Sequence, residues 1–231
     1  DASGTVTDVI GQATPKVVVS GYTGGTYDGT AHTQTVTITG VPADGQLYTT
    51  SLAGTDAGSY SEAWSFSSNP NYAPVNGTLS FTIGQASPSI SVPGYSVTYD
   101  GTPHTATGTA TGVNGEDLSA DFTFSGTTHT NAGTYTDTWT FHDPNGNYQD
   151  ASGTVTDVIG QATPKVVVSG YTGGIYDGTA HTQTVTVNGV ASDGQLYTTS
   201  LAATRAGSYS QAWSFSSNAN YTSASGTLSF T

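Results

Sequence analysis

The side chains best suited to chemistry recur at fixed places along this sequence. Three histidines close copies of the motif Tyr-Asp-Gly-Thr-x-His-Thr, pairing His32 with Asp28, His104 with Asp100 and His181 with Asp177. An imidazole near a carboxylate can carry a proton or ligate a metal. Zinc, however, needs several donors converging on one point, and here each histidine has a single Asp beside it. A Ser-His-Asp relay is recognised by geometry and is usually announced by a sharp turn carrying the nucleophile; the sequence has no such turn. The motif reads as a structural turn with a histidine beside it. The chain as a whole reads as non-enzymatic, with no catalytic, cofactor-binding or metal-ligating residues.

The sequence also holds residue types suited to two other chemistries. The loops Asn114-Gly115-Glu116-Asp117 and Asp143-Pro144-Asn145-Gly146-Asn147 are rich in oxygen donors for calcium. Neither follows the EF-hand or nonapeptide pattern, and Asn-Gly is equally a turn former. No cofactor is therefore the first reading, with calcium the alternative. An intramolecular isopeptide bond would need a lysine, an Asn or Asp and a carboxylate buried together. Lys16, Glu62 and Asn76 supply one such trio, but the third copy keeps Lys165 and has Gln211 and Ser225, and the middle copy has Ser89 for the lysine. A second trio draws on Asp28 and Asn71, with Asp177 and Asn220 as its counterparts.

The elements that must hold these residues are set by a threefold repeat. Ala57–Phe66 returns at 132–141 and 206–215, with Trp64, Trp139 and Trp213 at one shared place. Within it Tyr60, Glu62, Trp64 and Phe66 alternate with Ser59, Ser61, Ala63 and Ser65, the period-two pattern of a half-buried strand. This predicts the central core strand of a small domain. The boundaries fall at 11–83, 84–159 and 160–231, each unit opening with Gly-Gln-Ala-Thr/Ser-Pro. The first and third units (type A) differ at only about a dozen positions, and the middle unit (type B) shares the landmarks alone. Residues 1–10 are identical to residues 150–159, so they read as the closing strand of a truncated preceding B repeat. Pairing of that strand is expected, either as an extra edge strand on the first A repeat or on a neighbouring molecule. Short strands with turn signals and no helical periodicity predict an all-β fold. The expectation is a tandem array of three small Ig-like β-sandwiches, the alternative being helix-poor β-grasp-like domains.

Sixteen acidic residues against three basic ones, Lys16, Lys165 and Arg205, give a formal charge of −13. Such a surface repels phosphate backbones, which argues against nucleic-acid binding. No apolar run is long enough for membrane insertion by a helix. The absence of cysteine in a Thr/Ser/Gly-rich chain suits an extracellular setting.

Taken in order, Tyr-Asp-Gly-Thr-x-His-Thr, Ala-Gly-Ser/Thr-Tyr, Asn-Tyr and Gly-Gln-Ala-Thr/Ser-Pro resemble the MBG-type and bacterial Ig-like tandem repeats of large bacterial surface adhesins, and the resemblance covers all three units. It implies a bacterial cell-surface stalk that projects a distal binding region and carries no catalysis. Two alternatives stand beside that spacer role. Exposed tyrosines such as Tyr22, Tyr48 and Tyr72 would bind carbohydrate or protein on a target surface, or strand exchange would build a filament. Asp56-Ala-Gly-Ser-Tyr60 resembles the tyrosine corner of Ig-like folds, although Asn131 and Arg205 replace the Asp. The partners expected first are the neighbouring repeats of the same chain. Short junctions with Pro15, Pro88 and Pro164 at each entry predict a stiff array approaching roughly 100 Å. Small-angle scattering should give that maximum dimension, and a collapsed particle would contradict it.

Overall fold

The computed structural model describes residues 3–67 and 69–231. Among them there is no α-helix; the one helical segment is a 3-10 turn at Ser119–Asp121. The first repeat supplies β1 (Lys16–Gly21), β2 (Gly25–Thr26), β3 (His32–Thr39), β4 (Gln46–Gly54), β5 (Gly58–Phe66) and β6 (Val75–Gly84). The middle repeat supplies β7 (Ser89–Ser91), β8 (Ser96–Thr98), β9 (His104–Thr105), β10 (Thr109–Thr111), β11 (Phe122–Ser125), β12 (Thr128–His129), β13 (Gly133–Phe141) and β14 (Ala151–Gly160). The third supplies β15 (Lys165–Gly170), β16 (His181–Asn188), β17 (Gln195–Ala203), β18 (Tyr209–Phe215) and β19 (Ala224–Phe230). The fold is all-β.

Backbone contacts divide the chain into two compact units. One comprises Asp1–Ile90, Thr109–Asp121 and Phe141–Ala151; the other comprises Ser91–Gly108, Phe122–Thr140 and Ser152–Thr231. The middle repeat thus contributes segments to both units.

In the first unit, β1, β3 and β4 form an antiparallel sheet in that order, and β2, β6 and β5 form a second. The chain changes sheets between β1 and β2 at Gly21, whose φ of 99° is open to glycine at little cost. β2 then runs parallel to the end of β6, pairing Gly25 with Ile83. Two separate sheets make a sandwich, whereas a β-grasp arrangement would need one mixed sheet. Val36, Ile38, Trp64, Phe66, Tyr72 and Leu79 fill the core. Gln34 joins the layers: its Nε2 donates to the Tyr22 carbonyl at 3.1 Å and its Oε1 accepts the Ser80 N–H at 2.8 Å. A buried amide satisfied on both sides costs little, and it fixes how the sheets face each other.

The second unit repeats this plan in β15-β16-β17 and β18-β19, with Val185, Val187, Trp213 and Leu228 as its core and Gln183 Oε1 accepting the Ser229 N–H. Its share of the middle repeat forms a four-stranded sheet in the order β11-β13-β14-β8.

Three expectations change here. The strand carrying Trp64 is not the central one. β5 is the edge of its sheet, and the closing strand β6 lies in the middle with Leu79, Phe81 and Ile83 buried. Glu62 accordingly faces solvent although it shares the parity of Trp64. The opening strand is not apolar core either: Val17, Val18 and Val19 stay partly exposed, because β1 is an edge and the chain leaves it for the other sheet. Nor do residues 3–10 add a strand to the first repeat. They form none, and Val6, Val9 and Ile10 are 86–98% exposed. The closing-strand position of that repeat is already held by β6.

Each tryptophan lies against a glycine of the closing strand. Trp64 pairs across from Gly77 and Trp213 from Gly226. A Cβ on Gly77 would fall 2.7 Å from the Trp64 ring, with the same approach at Gly153 to Trp139 and 2.9 Å at Gly226 to Trp213. The glycine of Asn/Ser-Gly-Thr is therefore the seat of the indole, a rigid group that cannot yield to a methyl. Trp64→Ala should destabilise its repeat by about 3–5 kcal/mol and Gly77→Ala by about 1–3 kcal/mol. Thermal unfolding checks both, and unchanged melting in either variant would contradict this packing.

Candidate functional site

The repeated Asp-Gly-Thr-x-His segment folds as a closed turn. Asp28 Oδ1 accepts the Thr30 N–H at 2.8 Å, the Thr30 hydroxyl at 2.7 Å and the His32 Nε2 proton at 3.1 Å. The same three bonds recur at Asp100 and Asp177. The carboxylate stands between hydroxyl and imidazole, so the imidazole does not touch the hydroxyl and the order differs from that of a Ser-His-Asp relay, where the imidazole lies in the middle. The hydrogen bonds from Thr102 hold the Asp100 carboxyl at about 2, and Asp28 and Asp177 are lowered for the same reason. Tyr22 stacks on His32 at 3.9 Å and Tyr171 on His181 at 4.0 Å.

Beyond this turn, the other repeated motifs meet at the entry of each repeat. The Gln of Gly-Gln-Ala donates to a carbonyl of the Asn-Tyr loop, from Gln12 to Pro70 at 3.1 Å and from Gln85 to Gly146 at 3.0 Å. The Ala that follows bridges in parallel to the tyrosine, pairing Ala13 with Tyr72, Ala86 with Tyr148 and Ala162 with Tyr221. Those three tyrosines are 2–3% exposed. Each hydroxyl accepts a backbone N–H, from Val41, Val113 and Val190. Each then donates to an acid, Asp44, Glu116 and Asp193 respectively.

In the first unit, the turn of the first repeat docks on the middle repeat. Tyr27 meets Tyr148 edge to face at 5.5 Å, and Asn114 Nδ2 donates to the Asp28 carbonyl at 3.0 Å. Asn147 accepts the Ala57 N–H at 2.8 Å and donates to Asp56 at 3.2 Å. Gly29 is needed there twice over: its φ is 74°, and a Cβ would strike Asn114 Nδ2. Burial and the Glu116 partner push the Tyr148 phenol to about 12. In the second unit, Tyr99 meets Tyr221 at 5.5 Å, and both hydroxyls donate to Asp193 Oδ2 at 2.8 Å. Asn220 accepts the Ala132 N–H at 2.9 Å and donates to Asn131 at 3.1 Å.

The other sequence-derived candidates are placed elsewhere. Lys16, Glu62 and Asn76 are all exposed, as are Asp28 and Asn71, so neither trio has the shared burial that an isopeptide bond requires. Asp177 is held by its own turn and Asn220 by the junction. In the calcium-like loops, Asp143 accepts backbone N–H groups from Asn145, Asn147 and Tyr148, and Glu116 accepts from Asn114 and Tyr148. Among the described residues no three His, Cys, Asp or Glu side chains gather to hold a metal. Tyr22, Tyr48 and Tyr72, named as stacking surfaces, pack instead on His32, on Phe66 and inside the core. The tyrosine corners do form: Tyr60, Tyr135 and Tyr209 donate to the carbonyls of Asp56, Asn131 and Arg205 at 2.8–3.0 Å. The acceptor is main chain, which is why three different side chains serve there.

A cavity in the second unit is lined by Tyr171, Ile175, Tyr176, His181, Tyr209 and Phe230. At the corresponding end of the first repeat Ile83 is buried and pairs with Gly25. No known family model matches the chain, and no curated protein matches its sequence.

The Asp100 turn carries a pH signature. A carboxyl lowered from the ordinary 3.8 to about 2 stabilises the folded form fully above about pH 4, and that contribution disappears as pH falls through about 2. An NMR titration of the Asp100 carboxyl should show the low midpoint, and Thr102→Ala should raise it toward the ordinary value. A wild-type midpoint near 3.8 would contradict the turn.

Proposed function

We propose that this chain is a structural spacer: tandem repeats of an extracellular bacterial surface adhesin or filament, of the MBG-type or bacterial Ig-like kind, that hold a distal binding region away from the cell. The observation that carries this reading is the use of the repeated tyrosines. Aromatic rings that recognise sugar or protein must present a free face. Here Tyr72, Tyr148, Tyr221 and Tyr99 are 2–5% exposed, and Tyr27, Tyr99, Tyr148 and Tyr221 meet neighbouring repeats. The repetition is accounted for by repeat-to-repeat contact, with the three domains at 11–83, 84–159 and 160–231 as the repeating parts. The polar, cysteine-free and acidic composition supports an extracellular setting. No described helix is long and apolar enough to cross a membrane.

Two measurements test the proposal. The purified chain should bind no carbohydrate on a glycan array. Displayed on cells beneath a known binding domain, one, two or three repeats should extend that domain's reach in proportion to their number. Specific glycan binding lost on replacing an exposed tyrosine would replace the spacer reading with the carbohydrate-binding one. Reach independent of repeat number would remove the spacer reading altogether.

A further inference from the structure

The first repeat presents one half of a junction whose complete form exists in the second unit. There, Ile159, Ala162, Tyr221 and Tyr99 make a buried cluster: the end of a B-type closing strand, two landmarks of the following A repeat, and the turn tyrosine of the B repeat. Three of the four positions recur at the start of the chain as Ile10, Ala13 and Tyr72. Ala13 N–H donates to the Asn71 carbonyl as Ala162 N–H does to that of Asn220, both at 2.9 Å. The Tyr72 hydroxyl bridges Val41 and Asp44 as Tyr221 bridges Val190 and Asp193. The difference lies in what covers them. Asp193 Oδ2 also receives Tyr99, whereas Ile10, Ala13, Val41, Asp44 and Tyr72 line an open groove. Ile10 is 98% exposed against 2% for Ile159, and Val6 is 86% exposed against 3% for Val155.

The segment leading into this groove points to its partner. Asp8 stands where Asp157 stands in β14 and where the A repeats have Phe81 and Phe230. Asp157 is fully buried, and its Oδ1 accepts the Tyr95 N–H at 3.0 Å. In an A repeat that N–H is already taken, Tyr22 donating to Thr33 and Tyr171 to Thr182. The A position is also an aromatic nest: Phe81 contacts Tyr22 at 5.3 Å and Tyr60 at 5.0 Å. A carboxylate there would be buried without a donor, which is strongly unfavourable. Residues 1–10 therefore fit the closing-strand position of a B repeat and not of an A repeat.

We infer that residues 3–13, together with Val41, Asp44 and Tyr72, form a docking face for a B-type repeat, which takes residues 3–10 as its closing strand and seats its turn tyrosine on Asp44 and Tyr72. The inference rests on the junction in the second unit and does not depend on the spacer role.

The test extends the full chain at its N-terminus with a copy of residues 84–149, and in parallel with a copy of residues 11–74, an A repeat without its closing strand. Hydrogen exchange by NMR reads the amides of residues 5–10. With the B-type extension they should slow by on the order of a thousandfold, toward those of residues 154–159; Asp44→Asn should lower the melting temperature of the added repeat. With the A-type extension they should remain fast. Fast exchange of residues 5–10 beside the B-type extension would overturn the inference, including the case where the added segment captures residues 150–159 instead. Equal protection by both extensions would overturn its specificity for a B repeat.

Discussion

The buried tyrosine of each Asn-Tyr pair is the constraint on which the rest of the structure depends. Its ring lies in or beside the core, yet its hydroxyl must be hydrogen-bonded there, because an unpaired buried hydroxyl is costly. The solution is a loop brought back to it: the Val41, Val113 or Val190 N–H on one side and the Asp44, Glu116 or Asp193 carboxylate on the other. Its backbone holds the incoming chain through the Ala bridge. Core, entry strand and inter-repeat surface thus share one residue. A change at that residue would disturb all three, so it belongs to the framework and is poorly suited to be a ligand contact.

The acid beside the tyrosine has a second consequence. Asp193 accepts two phenols at 2.8 Å, one from its own repeat and one from the preceding one. Those bonds lower Asp193 and raise Tyr99. The junction is therefore charge-assisted as well as apolar, which favours one seating of the turn over a range of sliding contacts. Asn147 and Asn220 add a bidentate grip at the neighbouring corner, each receiving one backbone N–H and donating one amide proton.

The sequence carried much of this. Period-two alternation located β5, β13 and β18, and the recurrence of Trp64, Trp139 and Trp213 marked them as core strands. It could not say which strand was central, because alternation reports two faces and is blind to hydrogen-bonded neighbours; β6 proved to be the middle strand on pairing alone. The Asp-Gly turn was legible from glycine's freedom, and Gly29 does have φ of 74°. That its Thr and His both bond the same Asp oxygen was not, since the spacing fits a ligand pair equally well. The junction residues were visible only as repetition. Gly77 was missed although its signal was present: glycine recurs opposite each tryptophan, at 77, 153 and 226.

The contrast between A and B repeats gives the alternation a physical basis. The A core holds Gln34 and Phe81, with the amide bridging the sheets and the ring packed among tyrosines. The B core has Ala106 and Asp157 at these places, and the polar group has moved from one sheet to the other. Asp157 captures the Tyr95 N–H, and the chain after it joins the second sheet as β8, parallel to β14. Within the B repeat Asp157 Oδ1 has the Tyr95 N–H while Oδ2 is buried without a partner among the described residues, and a mixed pair removes even that one bond. Phe in the B position would leave the Tyr95 N–H without its carboxylate; Asp in the A position would bury a charge among aromatic rings. Closing strands of adjacent repeats are thus not interchangeable, and strand exchange during folding, the characteristic hazard of tandem arrays, is opposed by buried chemistry between every pair of neighbours. The near-identical A repeats, whose closing strands are interchangeable, are the ones that the sequence keeps apart.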